Sequence, residues 1–186
     1  MSRREHYSPA LALSQGITSE CLSLFEIWQE GMNTTQLFKV VQSTNALGLD
    51  SESRLSHVVK EGFGSRFLRE PYIQAAPSLK TILTQGHDLR LLNQIILLYT
   101  LRQHGIFFDF LVDEYWPAVR AGRQSIRKSD ILLLIDRGLV SGRLNKPWSE
   151  SMRTRVSGYV LGVAHDFDFL SHSRSGNRAI LPWSPH

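Results

Sequence analysis

The sequence predicts a mainly α-helical protein: a compact helical bundle with helix-turn-helix-like units and a small, wing-like β-hairpin near the C-terminus. Apolar residues recur at three-to-four spacing along most of the chain, which is the period of helices that bury one face. Residues that favour helix N-caps precede several of these segments. In residues 167–183 two short apolar runs flank a tip of Ser, Arg, Gly and Asn, which indicates the hairpin.

The first 70 residues divide into an arm and a three-helix part. Residues 1–16 lack periodicity, and we expect a flexible arm. Residues 17–70 contain three short helical segments, the second opened by a capping box of Asn33 and Gln36. Three short helices in this order match a helix-turn-helix-type core, although they match many unrelated helical domains too.

Residues 71–186 are predicted to form a helical C-terminal part that ends in the hairpin. Residues 88–103 are apolar nearly all round a helix axis, which predicts a central, buried helix. The helix over 106–116, which Pro117 ends or bends, carries an acidic face. A helix from Ser129 and a last one over about 149–165 complete this part. The acidic face of the 106–116 helix consists of Asp109, Asp113 and Glu114.

The last predicted helix carries basic residues that packing does not require. Met152, Val156 and Val160 share one face, while Thr154 and Ser157 lie opposite it. Arg153 and Arg155 flank the apolar face in the first turns, where positive charge opposes the helix dipole. Short hydroxyl and Arg side chains at a helix start suit phosphate and base-edge contacts.

Charge is unevenly distributed along the chain. Residues 1–119 hold 10 Lys and Arg against 12 Asp and Glu, whereas residues 120–186 hold 11 against 5. A basic final third fits an anionic partner such as double-stranded DNA, although a solvated surface fits equally well. The candidate DNA-binding residues of this third are Ser149, Arg153, Thr154, Arg155, Arg143, Lys146, Arg174 and Arg178. A second candidate surface on the third helix carries Arg54 and His57.

No pattern in the sequence indicates an enzyme. A Walker phosphate loop, a dinucleotide-binding glycine fingerprint and a metal-ligand spacing of His and Cys are all missing, so we expect no catalytic residue, metal, cofactor or small-molecule substrate. Cys21 fits a small core residue better than a nucleophile. The longest aliphatic runs, 95–98 and 131–135, are far shorter than the roughly 20 residues that span a bilayer. We therefore expect a soluble cytoplasmic protein without membrane contact.

Two segments carry a resemblance to a known family. The run FFDFLVDEY at 107–115, followed by WSESMRTRV at 148–156, resembles the BrxA family of bacteriophage-exclusion (BREX) defence systems. The segment from 46 to 68 is also similar to the third helix of that family, and the likeness covers roughly residues 17–183. The resemblance implies a helical, non-catalytic DNA-binding accessory protein with helix-turn-helix character and some likeness to the NusB fold.

Two alternatives stay open at the level of sequence. The chain could be an adaptor that docks other phage-defence proteins through the acidic 106–116 face. It could also be a NusB-like RNA-binding protein. Salt-dependent binding to duplex DNA separates DNA binding from the adaptor role, and competition by RNA separates it from RNA binding.

Overall fold

Helices make up 69% of the protein, which confirms the mainly α fold class. The computed structural model describes residues 6–13, 17–70, 72–84, 89–171 and 177–181. The chain forms two compact units. The middle unit comprises Gly16–Thr100, and the terminal unit comprises Leu101–His186 together with Met1–Gln15.

The regular secondary structure of the middle unit is helical throughout the described residues. It contains α1 (Thr18–Ile27), α2 (Thr34–Thr44), α3 (Glu52–Ser56), a π-helix (His57–Gly64), α4 (Ser65–Phe67), α5 (Ala75–Thr84) and most of α6 (Leu89–Gln103). The predicted capping box opens α2: the Gln36 N–H donates to Asn33 Oδ1 at 2.9 Å, and the Asn33 N–H donates to Gln36 Oε1 at 2.9 Å.

Aromatic rings hold the middle unit together across the predicted boundary near residue 70. The rings of Phe25, Phe63 and Phe67 lie 4.7–5.2 Å apart, and Tyr99 in α6 lies 5.3 Å from Phe67. Tyr72 in turn contacts Tyr99 at 5.7 Å. Elements on both sides of residue 70 therefore share one core, and the structure divides the chain near residue 100 instead.

The predicted third helix departs from a regular α-helix after one turn. It continues from α3 into the π-helix, where Gly62 and Gly64 approach neighbouring segments closely. A Cβ on Gly64 would lie 2.6 Å from Thr34 Cγ2, and one on Gly62 would lie 2.9 Å from Ile17 Cδ1. Periodicity alone cannot predict this change, because the apolar spacing of short π and α segments is similar.

The terminal unit combines helices with a small antiparallel sheet. It contains a 3₁₀-helix (Pro9–Leu13), α7 (Gly105–Asp109), a π-helix (Phe110–Tyr115), α8 (Trp116–Arg120), β1 (Ser125–Arg127), α9 (Lys128–Val140), α10 (Glu150–Asp166) and β2 (Asn177–Ala179). Pro117 does not end the helical run, which continues to Arg120. The proline is the second residue of α8, directly after the point where the π-helix ends.

The segments 169–171 and 177–181, here called the C-terminal return, run antiparallel to each other, as the hairpin prediction requires. Leu170 and Ile180 form a bridge, and the Ser171 N–H donates to the Ala179 carbonyl at 2.8 Å. The sequence did not indicate β1, which pairs with β2 in the register Ser125↔Ala179 and Arg127↔Asn177. β1 has three residues, which is too short for a recognisable alternation.

The described part of the predicted flexible arm is packed against the terminal unit. Tyr7 is buried, its N–H donates to the Arg143 carbonyl at 2.8 Å, and its hydroxyl donates to Asp109 Oδ2 at 2.7 Å. Leu11 is fully buried, and its 3₁₀-helix packs against α10. Two apolar side chains are enough to dock this segment, but they are too few to show a period.

Helix α6 is less buried than its composition suggests. Leu91 and Leu98, which lie two helical turns apart on the same side of α6, are 47% and 60% exposed. Among the described residues no single helix is long and apolar enough to cross a membrane. Residues 90–103 and 105–120 meet that test only as a pair, which is bent by 110°.

Candidate nucleic-acid interface

Helices α9 and α10 pack against each other in the terminal unit, and a β layer adjoins them. The order along the chain is α8, β1, α9, α10, the segment 169–171 and β2. The segment 177–181 lies between β1 on one side and 169–171 on the other. This arrangement brings the start of α10, the loop before it and the C-terminal return into one unit.

The outer face of α10 is polar and open. Ser151, Thr154 and Arg155 are exposed, and Gly158 follows at the same helical position one turn later. A Cβ added to Gly158 would have no atom of the described residues within 4 Å. The opposite side of α10 is buried through Val156, Val160, Leu161, Val163 and Ala164. A surface strip of small residues with one arginine, Arg155, therefore follows the first three turns of α10, after the exposed Glu150 at the helix start.

The two arginines of α10, which the sequence presents as equivalent, differ in their surroundings. Arg155 is exposed and forms no ion pair within the described part of the chain. Arg153 forms an ion pair with Asp136 of α9, with Nη2 2.7 Å from Oδ1. Arg155 is therefore the α10 arginine whose charge is not offset by a carboxylate.

The other predicted residues of α10 are placed as a cap and an outward side chain. Ser149 is the N-cap, and its hydroxyl accepts the Met152 N–H at 3.3 Å. Thr154 is exposed. Ser157, expected on the outer face, is instead fully buried, and its hydroxyl donates to the Thr154 carbonyl at 2.9 Å, which satisfies the hydroxyl without water.

The loop before α10 contributes one exposed cation. Lys146 is exposed. Arg143, also predicted to reach phosphates, forms an ion pair with Asp109, a carboxylate that is 1% exposed. The Tyr7 hydroxyl donates to the same carboxylate. Arg143 thus neutralises a buried charge, which is a structural role that the sequence spacing of 34 residues could not indicate.

The C-terminal return holds Arg178 partly inside the protein. Arg178 lies in β2 opposite Ile126, and its Nη1 atom is buried without a hydrogen-bond partner. Burial lowers the pKa of this guanidinium, against the opposite effect of Asp166. Arg174 lies outside the described residues. Arg127, which is exposed on β1, was not among the predicted site residues, because a strand of three residues shows no alternation that the sequence alone would reveal.

The second candidate surface belongs to the middle unit. Arg54 and His57 are both exposed. Arg54 lies 3.9 Å from Glu20, with its side chain 59% exposed. This surface is therefore in a different unit from the residues of α10.

The acidic face predicted over 106–116 is mostly turned inward. Asp109 is buried, and Glu114 is 9% exposed and forms an ion pair with Arg137. Asp113 is the exposed member of the three. The expectation of a continuous acidic surface was wrong, because two of the carboxylates neutralise arginines of the same unit.

Cys21 lies in the core of the middle unit. It is fully buried, and burial raises its pKa to about 12 against the smaller opposite effect of Arg66. The thiol is therefore protonated at neutral pH and poorly nucleophilic. Within the described residues no three His, Cys, Asp or Glu side chains group as metal ligands do.

The model of the BrxA family matches residues 5–184 of the 186-residue chain. This range includes both units and extends beyond the segments on which the sequence resemblance rests. No curated protein and no solved structure matches the chain.

Proposed function

Because the chain belongs to the BrxA family and is thus a BREX phage-defence protein, we propose that it is a non-catalytic accessory protein that binds double-stranded DNA. We place it in the cytoplasm, where it would act beside other proteins of the defence system. The proposal rests mainly on the terminal unit, and within it on α10.

The arrangement of the terminal unit supports this proposal most directly. The order along the chain is that of a winged helix-turn-helix: helix α8, strand β1, the packed helices α9 and α10, and then two antiparallel segments. The second of these segments contains β2, which pairs with β1. In such units the second helix of the pair enters the major groove and presents its N-terminal residues to base edges. We assign this position to α10, and the position of the wing to the antiparallel segments 169–171 and 177–181.

The surface of α10 has the chemistry that this position requires. Arg155 offers an uncompensated guanidinium, and Ser151 and Thr154 offer hydroxyl groups beside it. Arginine and hydroxyl side chains contact both phosphates and base edges. Lys146 in the preceding loop and Arg127 on β1 add exposed positive charge in the same unit.

Gly158 gives independent support to an external contact on this face. Glycine in a helix interior costs about 0.8–1 kcal/mol relative to alanine. No described residue requires glycine here, since a Cβ would have no neighbour within 4 Å in the described part of the chain. A surface that must come close to the helix backbone, such as a DNA groove, is a physical reason for retaining it.

Duplex-DNA binding as a function of salt concentration tests the proposal. We expect Arg155→Ala to weaken binding and to reduce the slope of log affinity against log salt by about 0.9, the contribution of one phosphate contact. The matched control is Arg69→Ala, which removes the same charge from an exposed position of the middle unit. Equal effects of the two variants, or no binding by the unaltered protein, would refute the role of α10.

Competition experiments separate the alternatives. Duplex DNA should displace labelled duplex DNA at lower concentration than single-stranded or double-stranded RNA does, because a helix enters the wide DNA major groove but not the narrow one of RNA. Stronger competition by RNA would favour the RNA-binding alternative. Loss of binding on Arg54→Ala, with Arg155→Ala unaffected, would move the interface to the middle unit.

A further inference from the structure

The ion pair between Asp136 and Arg153 lies at the surface and joins the two packed helices of the terminal unit. Asp136 belongs to α9 and Arg153 to α10. Nη2 of Arg153 lies 2.7 Å from Oδ1 and 2.8 Å from Oδ2 of Asp136. The carboxylate is 51% exposed and the arginine side chain 33% exposed. One nitrogen of the guanidinium is therefore bound by both oxygens of a solvent-accessible carboxylate.

The remaining donors of Arg153 are only partly accessible. Its Nε atom is buried and has no hydrogen-bond partner. Arginine binds phosphate most strongly through two parallel N–H donors, commonly Nε together with a terminal nitrogen. At Arg153 the first of these is inside the protein and the second already contacts Asp136. A phosphate cannot use this pair of donors while the ion pair is formed.

Electrostatic repulsion also disfavours the binding of a phosphate at Arg153. The ion pair carries no net charge, so it contributes little to long-range attraction of DNA. A phosphate that approaches Arg153 also comes close to the exposed carboxylate of Asp136, and two anions at short distance repel each other. Arg155, two residues away, has no such partner within the described residues.

We propose that Asp136 competes with the DNA phosphates for Arg153 and thereby limits the sequence-independent affinity of the protein. This inference rests on the proposed DNA binding through α10 and adds its regulation. Asp136 is a positioning residue that acts through Arg153 and does not itself bind DNA. Such a restraint favours discrimination between sites, because phosphate contacts increase affinity for every sequence alike.

The test compares duplex-DNA binding by the full chain, Asp136→Asn, Arg153→Ala and the double variant. Asparagine keeps the size of the side chain and removes its charge. We expect Asp136→Asn to bind about 3- to 10-fold more tightly near 0.1 M salt and to steepen the salt slope by about 0.9, as one additional phosphate contact does. In the Arg153→Ala background the same substitution should change neither quantity.

Asp113→Asn is the matched control, because it makes the same charge change at an exposed carboxylate of the same unit. If Asp113→Asn raises affinity as much as Asp136→Asn does, net charge explains the effect and the inference fails. Persistence of the Asp136→Asn effect without Arg153 also overturns it. Thermal melting of each variant identifies any change in affinity that arises from altered folding.

The outcomes also distinguish this inference from the proposed function. If neither the unaltered protein nor Asp136→Asn binds duplex DNA, both are wrong. If the unaltered protein binds and Arg155→Ala weakens binding, DNA binding through α10 stands. A loss of affinity in Asp136→Asn would then mean that Asp136 orients Arg153 toward a phosphate, which is the opposite of the inference.

Discussion

Two helical glycines of the terminal unit should respond to the same substitution with opposite signs. Gly158 in α10 has open space where a Cβ would be placed. Gly138 in α9 is buried, and a Cβ there would overlap Cε2 of Tyr7 and lie 2.8 Å from its Cδ2. The Tyr7 ring cannot move freely, because its hydroxyl and backbone N–H are both hydrogen-bonded.

The expected magnitudes follow from these surroundings. Gly158→Ala gains the helix propensity of alanine without a clash, so the free energy of unfolding should rise by about 0.8–1 kcal/mol. Gly138→Ala gains the same propensity but overpacks a fixed ring at a cost of about 1–3 kcal/mol. Since the clash at Gly138 is severe, we expect a net loss of about 1–2 kcal/mol.

Thermal and urea unfolding of the two variants measure this difference. For a chain of this size 1 kcal/mol corresponds to about 2–4 °C in Tm. Gly158→Ala should therefore melt a few degrees higher than the unaltered protein, and Gly138→Ala several degrees lower. A lower Tm for Gly158→Ala would mean that α10 has packing partners at this face and would refute the argument that its glycine serves an external contact. A higher Tm for Gly138→Ala would refute the packing of Tyr7 on α9.

Two further predictions concern buried polar groups. Tyr7→Phe removes a donor from the buried Asp109 carboxylate, and we expect it to lower the free energy of unfolding by about 1.5–3 kcal/mol, measured by urea unfolding. Retention of full stability would show that the Tyr7 hydroxyl is not needed to satisfy Asp109. For Cys21, whose pKa is raised from 9.0 to about 12, the folded state holds the thiol proton more tightly than the unfolded state does. The contribution of the protonated thiol to the free energy of unfolding is therefore complete below about pH 9 and is lost as the pH rises toward 12. Because the thiol is buried, its alkylation at pH 8 should proceed only as fast as the protein unfolds. Rapid alkylation of the folded protein would contradict this burial.

The predictable parts of the fold are those that depend on neighbouring residues. The capping box of Asn33 and Gln36 involves residues three apart, and the structure contains both of its hydrogen bonds. The antiparallel bridge between Leu170 and Ile180 is also local, and it follows from two apolar runs around a polar stretch of sequence. Such features depend on short-range geometry that a sequence displays directly.

The parts that could not be predicted depend on contacts between distant residues. Strand β1 exists because Ile126 and its neighbours pair with a strand more than 50 residues away. The arm over 6–13 is ordered by the hydrogen bond from Tyr7 to Asp109, which spans 102 positions. Neither contact leaves a periodic pattern, so a reading of local spacing had no signal to use.

The candidate interface illustrates the same distinction for charge. A count of basic residues treats Arg143, Arg153 and Arg155 as equal contributions to an anion-binding surface. Tertiary contacts give them different roles: Arg143 neutralises the buried Asp109, Arg153 pairs with the exposed Asp136, and Arg155 has no carboxylate partner in the described chain. The effective charge of α10 therefore depends on the acidic residues of the segments packed around it. Asp136 is solvent-exposed, so under the proposed DNA binding a phosphate could replace it as the partner of Arg153, whereas Asp109 is buried and out of reach of an external anion. We therefore predict that substitution at Asp136 changes affinity for DNA, while substitution at Asp109 changes stability.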